Sequence, residues 1–232
     1  MKLAIMQPYI FPYIGYFQLI HAVDKFVIYD DVNFINRGWI NRNRILVSGK
    51  DSLFTIPLKE ASQNKLINEI EVNWDSAWKN KWVKTLEQSY KKAPFFQQVM
   101  PLVEQTLGQE KQIFSEIIVA NLQIINDYLG ISTEIVPSSV IYQNTELKAQ
   151  NRIIDICLQE KATHYINPIG GLELYDKQVF AEKGMLMNFI KSQSVQYPQL
   201  KNEFVPWLSI LDVLMFNSVE KIHEFLNAYE LV

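Results

Sequence analysis

Apolar and polar positions change period along this chain, and the changes mark its elements. Residues 2–6 (KLAIM) are a continuous apolar run ending at Gln7-Pro8, the pattern of a strand buried on both faces of a parallel sheet. Residues 14–22 predict a short helix. Residues 25–30 (KFVIYD), rich in aromatic and β-branched side chains, predict a second strand. Strand, loop, helix and strand within about thirty residues is the span of a βαβ unit. Segments 43–48 and 52–57 read as two strands joined by a turn at Gly49-Lys50-Asp51. Residues 67–73 (INEIEVN) alternate and predict another strand.

The period then lengthens. Over 75–92, Trp78, Trp82, Leu86 and Tyr90 fall on one helical face, with Asp75 or Ser76 as N-cap and Pro94 as the stop. Helices over 95–107 and 111–129 are separated at Gly108 and ended by Gly130. Strands return at 133–137, 163–167 and 185–190, alternating with helices at 146–160 and 175–183. The tail, 207–228, is helical with a break near Asn217-Ser218. This order predicts one α/β domain over 1–232. Its sheet is mostly parallel and Rossmann-like, with a helical insertion at about 75–130. The Trp74, Trp78 and Trp82 stripe suits either the core or a dimer face, so a homo-oligomer stays open.

Composition narrows the class. The 232 residues are 48% hydrophobic and 20% charged, a globular balance, and the net charge of −3 argues against a nucleic-acid partner. Cys157 is the only cysteine and sits on an apolar helix face. An internal disulfide and a cysteine zinc site are therefore excluded, and Cys157 is expected in the core. His21, His164 and His223 are too scattered for a metal site. The N-terminal apolar stretch is too short for a signal peptide, and no run is long enough to span a bilayer. The expectation is a soluble cytoplasmic protein without membrane insertion. One bias stands out: among 18 Lys the chain has 4 Arg, and Arg37, Arg42 and Arg44 fall within eight residues, leaving only Arg152 apart.

Open parallel sheets gather ligands at the carboxyl ends of their strands, and three unusual clusters follow predicted strand ends. The first, QPYIFPYIGY, offers Gln7, Tyr13, Gly15 and Tyr16 beside a helix N-terminus. The second, DDVNFINRGWINRNR, offers Trp39 for stacking, Asn41 and Asn43 for hydrogen bonds, and Arg42 and Arg44 as phosphate forks on one strand face. There Asp30 and Asp31 are the catalytic candidates, positioning Mg²⁺ on a nucleotide pyrophosphate or accepting a substrate proton. The third, NPIGGLELYD, offers Asn167, Tyr175 and the pair Gly170-Gly171, which permits close backbone approach. Lys59 is a further phosphate contact. Ser209 and Asp212, three apart, share one side of an apolar helix, where Asp212 is either exposed or buried with a partner such as an Arg.

The segments QPYIFPYIGYFQLI, IYDDVNF, WINRNRI, FTIPLK, SYKKAPFF, YINPIGGLELY and YPQLKNEFVPWLSILDVL resemble the WbqC-like family, in this order and over essentially the whole chain. That resemblance implies a bacterial cytoplasmic protein linked to surface polysaccharide (O-antigen) biosynthesis, in a family suggested to include glycine transferases acting on amino sugars. A more distant similarity links FPYIGY to the HxGH element of adenylyl-transferring nucleotidyltransferases and pantothenate synthetase. Aligned on Gly15, Tyr13 and Tyr16 stand where those enzymes place their phosphate-stabilising histidines. Three functions stay open: an acyl (glycyl) transferase on a nucleotide-linked amino sugar, a degenerate nucleotidyltransferase, and a non-catalytic nucleotide-sugar-binding module. All three take a small phosphorylated ligand.

Overall fold

The structure is a computed structural model that describes residues 1–201 and 203–232. In chain order the elements are β1 (Lys2–Met6), α1 (Ile14–His21), β2 (Lys25–Ile28), β3 (Arg42–Val47), β4 (Lys50–Thr55), β5 (Leu58–Lys59) and β6 (Glu71–Val72). Helices α2 (Ser76–Tyr90), α3 (Phe96–Leu107) and α4 (Phe114–Leu129) follow. Then come β7 (Glu134–Val136), α5 (Ala149–Gln159), β8 (His164–Pro168), α6 (Lys177–Glu182), β9 (Leu186–Ser192), α7 (Ile210–Phe216), α8 (Val219–Leu226) and β10 (Tyr229–Leu231).

The central sheet has the order β7-β2-β1-β8-β9-β10, parallel throughout except for β10, which pairs antiparallel with β9. Strand order reverses between β1 and β8. This is the doubly wound arrangement, with its ligand crevice expected at that reversal. Both faces are covered, which is why the strands are apolar without alternation. Ala4, Phe26, Ile28 and Ile166 pack with α1, α4, α7 and α8. Leu3, Ile5, Val27 and Tyr165 point the other way, into a core with Ile153, Ile156, Cys157 and Phe180 of α5 and α6. Cys157 is fully buried, and its thiol is pushed up to about 12 by burial. That suits packing and not nucleophilic attack. Seven of the eight residues of α1 are buried, and Gln18 donates from Nε2 to Phe225 O (2.7 Å) and Ala228 O (3.0 Å), tying α1 to the end of α8.

The segment between β2 and β7 begins at residue 29, well before the helices. It carries the β3–β4 hairpin, the short β5–β6 pair and α2–α4. The Trp stripe runs from the surface inward: Trp74, Trp78 and Trp82 stack at 6.2 Å steps, and only Trp82 is buried, against Phe54. Several boundaries differ from the pattern. Strand β2 stops at Ile28. The hairpin turns at Ser48-Gly49, because Val47 pairs with Lys50. Residues 67–69 form a 3-10 turn in place of most of the alternating strand, since Glu69 Oε2 accepts the Leu66 N–H (2.9 Å) and closes the chain locally. Helix α5 starts at Ala149, and residues 207–209 precede α7.

Candidate functional site

The first cluster is a loop pinned from three sides. Phe11, at φ 42°, sits at its apex. Its N–H donates to Asn121 Oδ1 of α4 (3.0 Å), and its carbonyl accepts from Asn43 Nδ2 of β3 (2.7 Å) and Ser209 Oγ (2.7 Å). The Ile210 N–H closes onto Pro12 O (2.7 Å), and the Ser209 N–H onto Arg44 O (2.8 Å). The two prolines limit the backbone, and these buried hydrogen bonds fix what remains. Asn43 and Ser209 thus position the loop that carries Tyr9 and Tyr13.

That loop forms one wall of a cleft of 370 Å³ beyond the carboxyl end of β1, lined by Tyr9, Tyr13, Trp39, Asn43, Arg44 and Trp207. The volume lies within the range of small-molecule sites. The Arg42 and Arg44 guanidinium carbons lie 5.5 and 5.6 Å from the centre of the Trp39 ring, a cation–π arrangement. Tyr9 meets Trp39 at 6.5 Å, and Tyr13 meets Trp207 at 6.2 Å edge-on. Both tryptophans are exposed, and Trp207 is held at φ 60°. Arg44 is half-exposed, and its Nε reaches Asp51 at 3.5 Å. The Arg42 Nε is buried with no hydrogen-bond partner among the described residues. Burial pushes the Tyr9 phenol above its ordinary value, and neighbouring Tyr13 adds to this. Arg44, Asn43 and Arg42 offset it only in part, so Tyr9 is a neutral hydrogen-bond donor at physiological pH.

Gly15 shapes the same wall. A Cβ there would lie 2.3 Å from Tyr13 Cε2 and 2.7 Å from Ser192 Oγ, so the bare backbone lets the Tyr13 ring lie across the first turn of α1. Tyr16 does not reach the cleft. It is buried and donates to Gln7 O (2.9 Å), which leaves Tyr13 alone of the two tyrosines at a ligand-facing position. A phosphate clamp built on both is therefore not formed. Gln7 is half-buried at the end of β1. Asn41 donates from Nδ2 to Ile56 O (2.9 Å), bracing the hairpin outside the cleft lining.

Asp30 and Asp31 are buried and fully engaged. Asp30 Oδ1 accepts from Ser138 Oγ (2.7 Å) and the Ser139 N–H (3.2 Å), and burial raises its carboxyl above the ordinary range against these hydrogen bonds. Asp31 accepts from Ser139 Oγ and forms an ion pair with Arg152, whose Nε donates to Asn144 Oδ1 (2.9 Å) and whose guanidinium lies 4.9 Å from the Tyr29 ring centre. Among the described residues no three His, Cys, Asp or Glu side chains come together. The two aspartates hold the β2 exit to the turn at 138–142 and to α5. Lys59 pairs with Glu71 (2.7 Å) on β5–β6 and lines no part of the cleft. Asp212 has no Arg partner among the described residues: its carboxylate accepts from Tyr90 Oη (2.9 Å), Tyr197 Oη (2.8 Å) and Gln199 Nε2 (2.7 Å), all in the core.

The third cluster also closes on itself. Tyr165 Oη donates to Asn167 Oδ1 (3.0 Å), Asn167 Nδ2 donates to Pro168 O (3.1 Å), and Tyr175 packs edge-on against Tyr165 at 5.9 Å. A Cβ on Gly171 would lie 1.9 Å from Asn167 Nδ2, whereas one on Gly170 would meet nothing within 4 Å. Gly171→Ala should therefore cost about 1–3 kcal/mol through overpacking, with Gly170→Ala close to neutral. Thermal melts of the two variants check the contrast, and equal melting temperatures would refute it.

Sequence reasoning missed Tyr9 and Trp207 as cleft walls and Asn121 as a loop anchor. Tyr9 lay inside the Pro8–Pro12 bracket, and Asn121 interrupts the apolar face of α4 beside Ile117, Ile118 and Leu122. Both signals were present. Trp207 offered only its place after Pro206.

No helix among the described residues is long and apolar enough to cross a membrane. Residues 7–224 match the WbqC-like protein family. The chain is 32% identical over 221 residues to a Mycobacterium tuberculosis (strain ATCC 25618 / H37Rv) protein named "Uncharacterized protein Rv1507c", covering 93% of each. No solved structure matches.

Proposed function

This chain belongs to the WbqC-like protein family, and from that premise we propose that it is a transferase of bacterial surface-polysaccharide assembly whose cleft beyond β1 holds a nucleotide-linked amino sugar. One observation carries the ligand half of this reading: among the described residues Arg44 is the only charged side chain lining a cleft otherwise walled by Tyr9, Tyr13, Trp39, Asn43 and Trp207. Aromatic faces suit the apolar face of a pyranose or a base, and the guanidinium fork suits phosphate. The transfer half, with an acyl or glycyl group moved to the sugar amine, rests on the family resemblance. Within the cleft the chain supplies positioning, with the Tyr9 hydroxyl offering a hydrogen bond and Asn43 holding the loop that carries it, and positioning alone contributes much of the acceleration in bimolecular transfer.

A second reading is a nucleotide-sugar-binding module that does no chemistry. It is favoured by one feature: no carboxylate, imidazole or thiol is among the six lining residues. Degenerate adenylyl transfer fits less well, because Tyr16 is turned into the core.

Titration calorimetry against a panel of nucleotide-linked amino sugars tests the ligand. Arg44→Ala should weaken binding about 10- to 100-fold, the worth of a charge-assisted hydrogen bond, and Trp39→Ala should weaken it comparably. Unchanged affinity in both variants sinks the assignment. Mass spectrometry of the sugar after incubation with an activated aminoacyl donor separates the readings: added acyl mass supports transfer, and binding without it supports the module.

A further inference from the structure

A second cleft, of 780 Å³, opens between the β3–β4 turn at Ser48-Gly49, the last turns of α2 and the segment at Leu200-Lys201. It shares no lining residue with the aromatic cleft. Lys91, Lys92 and Lys201 line it, and among the described residues no Asp or Glu does. These three form no ion pair among the described residues. In a chain of net charge −3, acids outnumber bases 25 to 22, yet this hollow gathers uncompensated positive charge. A helix C-terminus attracts nearby lysines, which accounts for Lys91 and Lys92 after α2. It does not account for Lys201, which arrives from a distant segment onto the same hollow.

We propose that this cleft is a binding site for a diphosphate group, as free pyrophosphate or as the diphosphate of a nucleotide. Three compact ammonium charges from two segments match an anion carrying several charges on two linked phosphorus centres better than a single carboxylate. The hydroxyls of Ser48 and Ser89 line the same hollow and supply neutral donors. The site does not depend on the sugar reading of the aromatic cleft.

Titration calorimetry of the full chain with inorganic pyrophosphate tests it. Wild type should bind, with affinity falling as salt is raised. The variant Lys91→Gln/Lys92→Gln/Lys201→Gln should bind at least about tenfold more weakly at an unchanged melting temperature, since all three side chains are exposed. Should that variant melt early, Lys201→Glu alone is to give the loss. Arg44→Ala, in the other cleft, should leave pyrophosphate affinity within about twofold, as for uncoupled sites. No binding by wild type, or equal binding by the lysine variants, overturns the proposal. Loss in Arg44→Ala with retention in the lysine variants moves the anion to the aromatic cleft and overturns it equally. Tighter binding of a nucleoside diphosphate than of pyrophosphate identifies the nucleotide as the source.

Discussion

Arg152→Ala should cost about 3–5 kcal/mol of stability, the loss typical of breaking a buried ion pair from one side. Both partners are 4% exposed, so the Asp31 carboxylate would be left in the core with only Ser139 Oγ to solvate it. The same guanidinium holds Asn144 and stacks on Tyr29, so α5, the 138–142 turn and the β2 exit would loosen together. Urea unfolding measures the loss directly, and the melting temperature should fall by roughly 6–20 °C for a chain of this size. Arg152→Met combined with Asp31→Leu should lose less than the single change, because no charge is stranded. A loss below about 1 kcal/mol for Arg152→Ala would mean that the pair does not brace this region.

Asp212→Ala should be the next most damaging change, at about 3 kcal/mol or more, because each buried donor left without its acceptor costs about 1–3 kcal/mol. Tyr90 Oη and Tyr197 Oη both lose their acceptor at once, while Gln199 Nε2 loses one acceptor and keeps Val205 O (3.0 Å). Tyr90→Phe, which removes one donor and leaves two, should cost about 1 kcal/mol. The pH dependence has a definite sign. Burial raises the Asp212 carboxyl above its ordinary value, and the three hydrogen bonds offset this only in part. The folded chain therefore holds that proton more tightly than the unfolded chain. Its contribution to stability is full below the ordinary carboxylate value and is lost as pH rises through the raised one. Wild type should gain on Asp212→Asn as pH falls from neutral, and unfolding curves across a pH series show whether it does.

Burial on two faces left a strong imprint on the sequence. The strands read at 2–6, 25–30 and 163–167 became β1, β2 and β8 with ends shifted by at most two residues, and Asp75 caps α2 as its spacing foretold, accepting the Trp78 N–H (2.7 Å). Elements held by tertiary contacts left less. Strand β10 is three residues with two exposed side chains, stabilised by pairing with β9 on the sheet edge, so local pattern had nothing to register. The alternation over 67–73 was real but lost to a local carboxylate contact. The Arg bias drew attention to the segment before and along the β3–β4 hairpin, where the three side chains go different ways. Arg37 turns at φ 59°, Arg42 stacks on Trp39, and Arg44 alone lines the cleft. Sequence could not show that Arg152, more than a hundred residues on, pairs with Asp31.

The route of the chain through its sheet also bears on how the protein is born. Strands β1 and β2 pair at once, but the remaining neighbour of β2 arrives only after residues 29–133, and the other neighbour of β1 only at residue 164. Helix α1, apolar nearly all round, waits for Phe225 and Ala228 to receive its Gln18 amide. A growing polypeptide on the ribosome therefore carries an unfinished two-stranded seed and an uncovered greasy helix through most of its synthesis. Non-local pairing of this kind is slow and invites aggregation. Until those partners arrive, the seed and the helix leave exposed the apolar surface that the finished sheet covers.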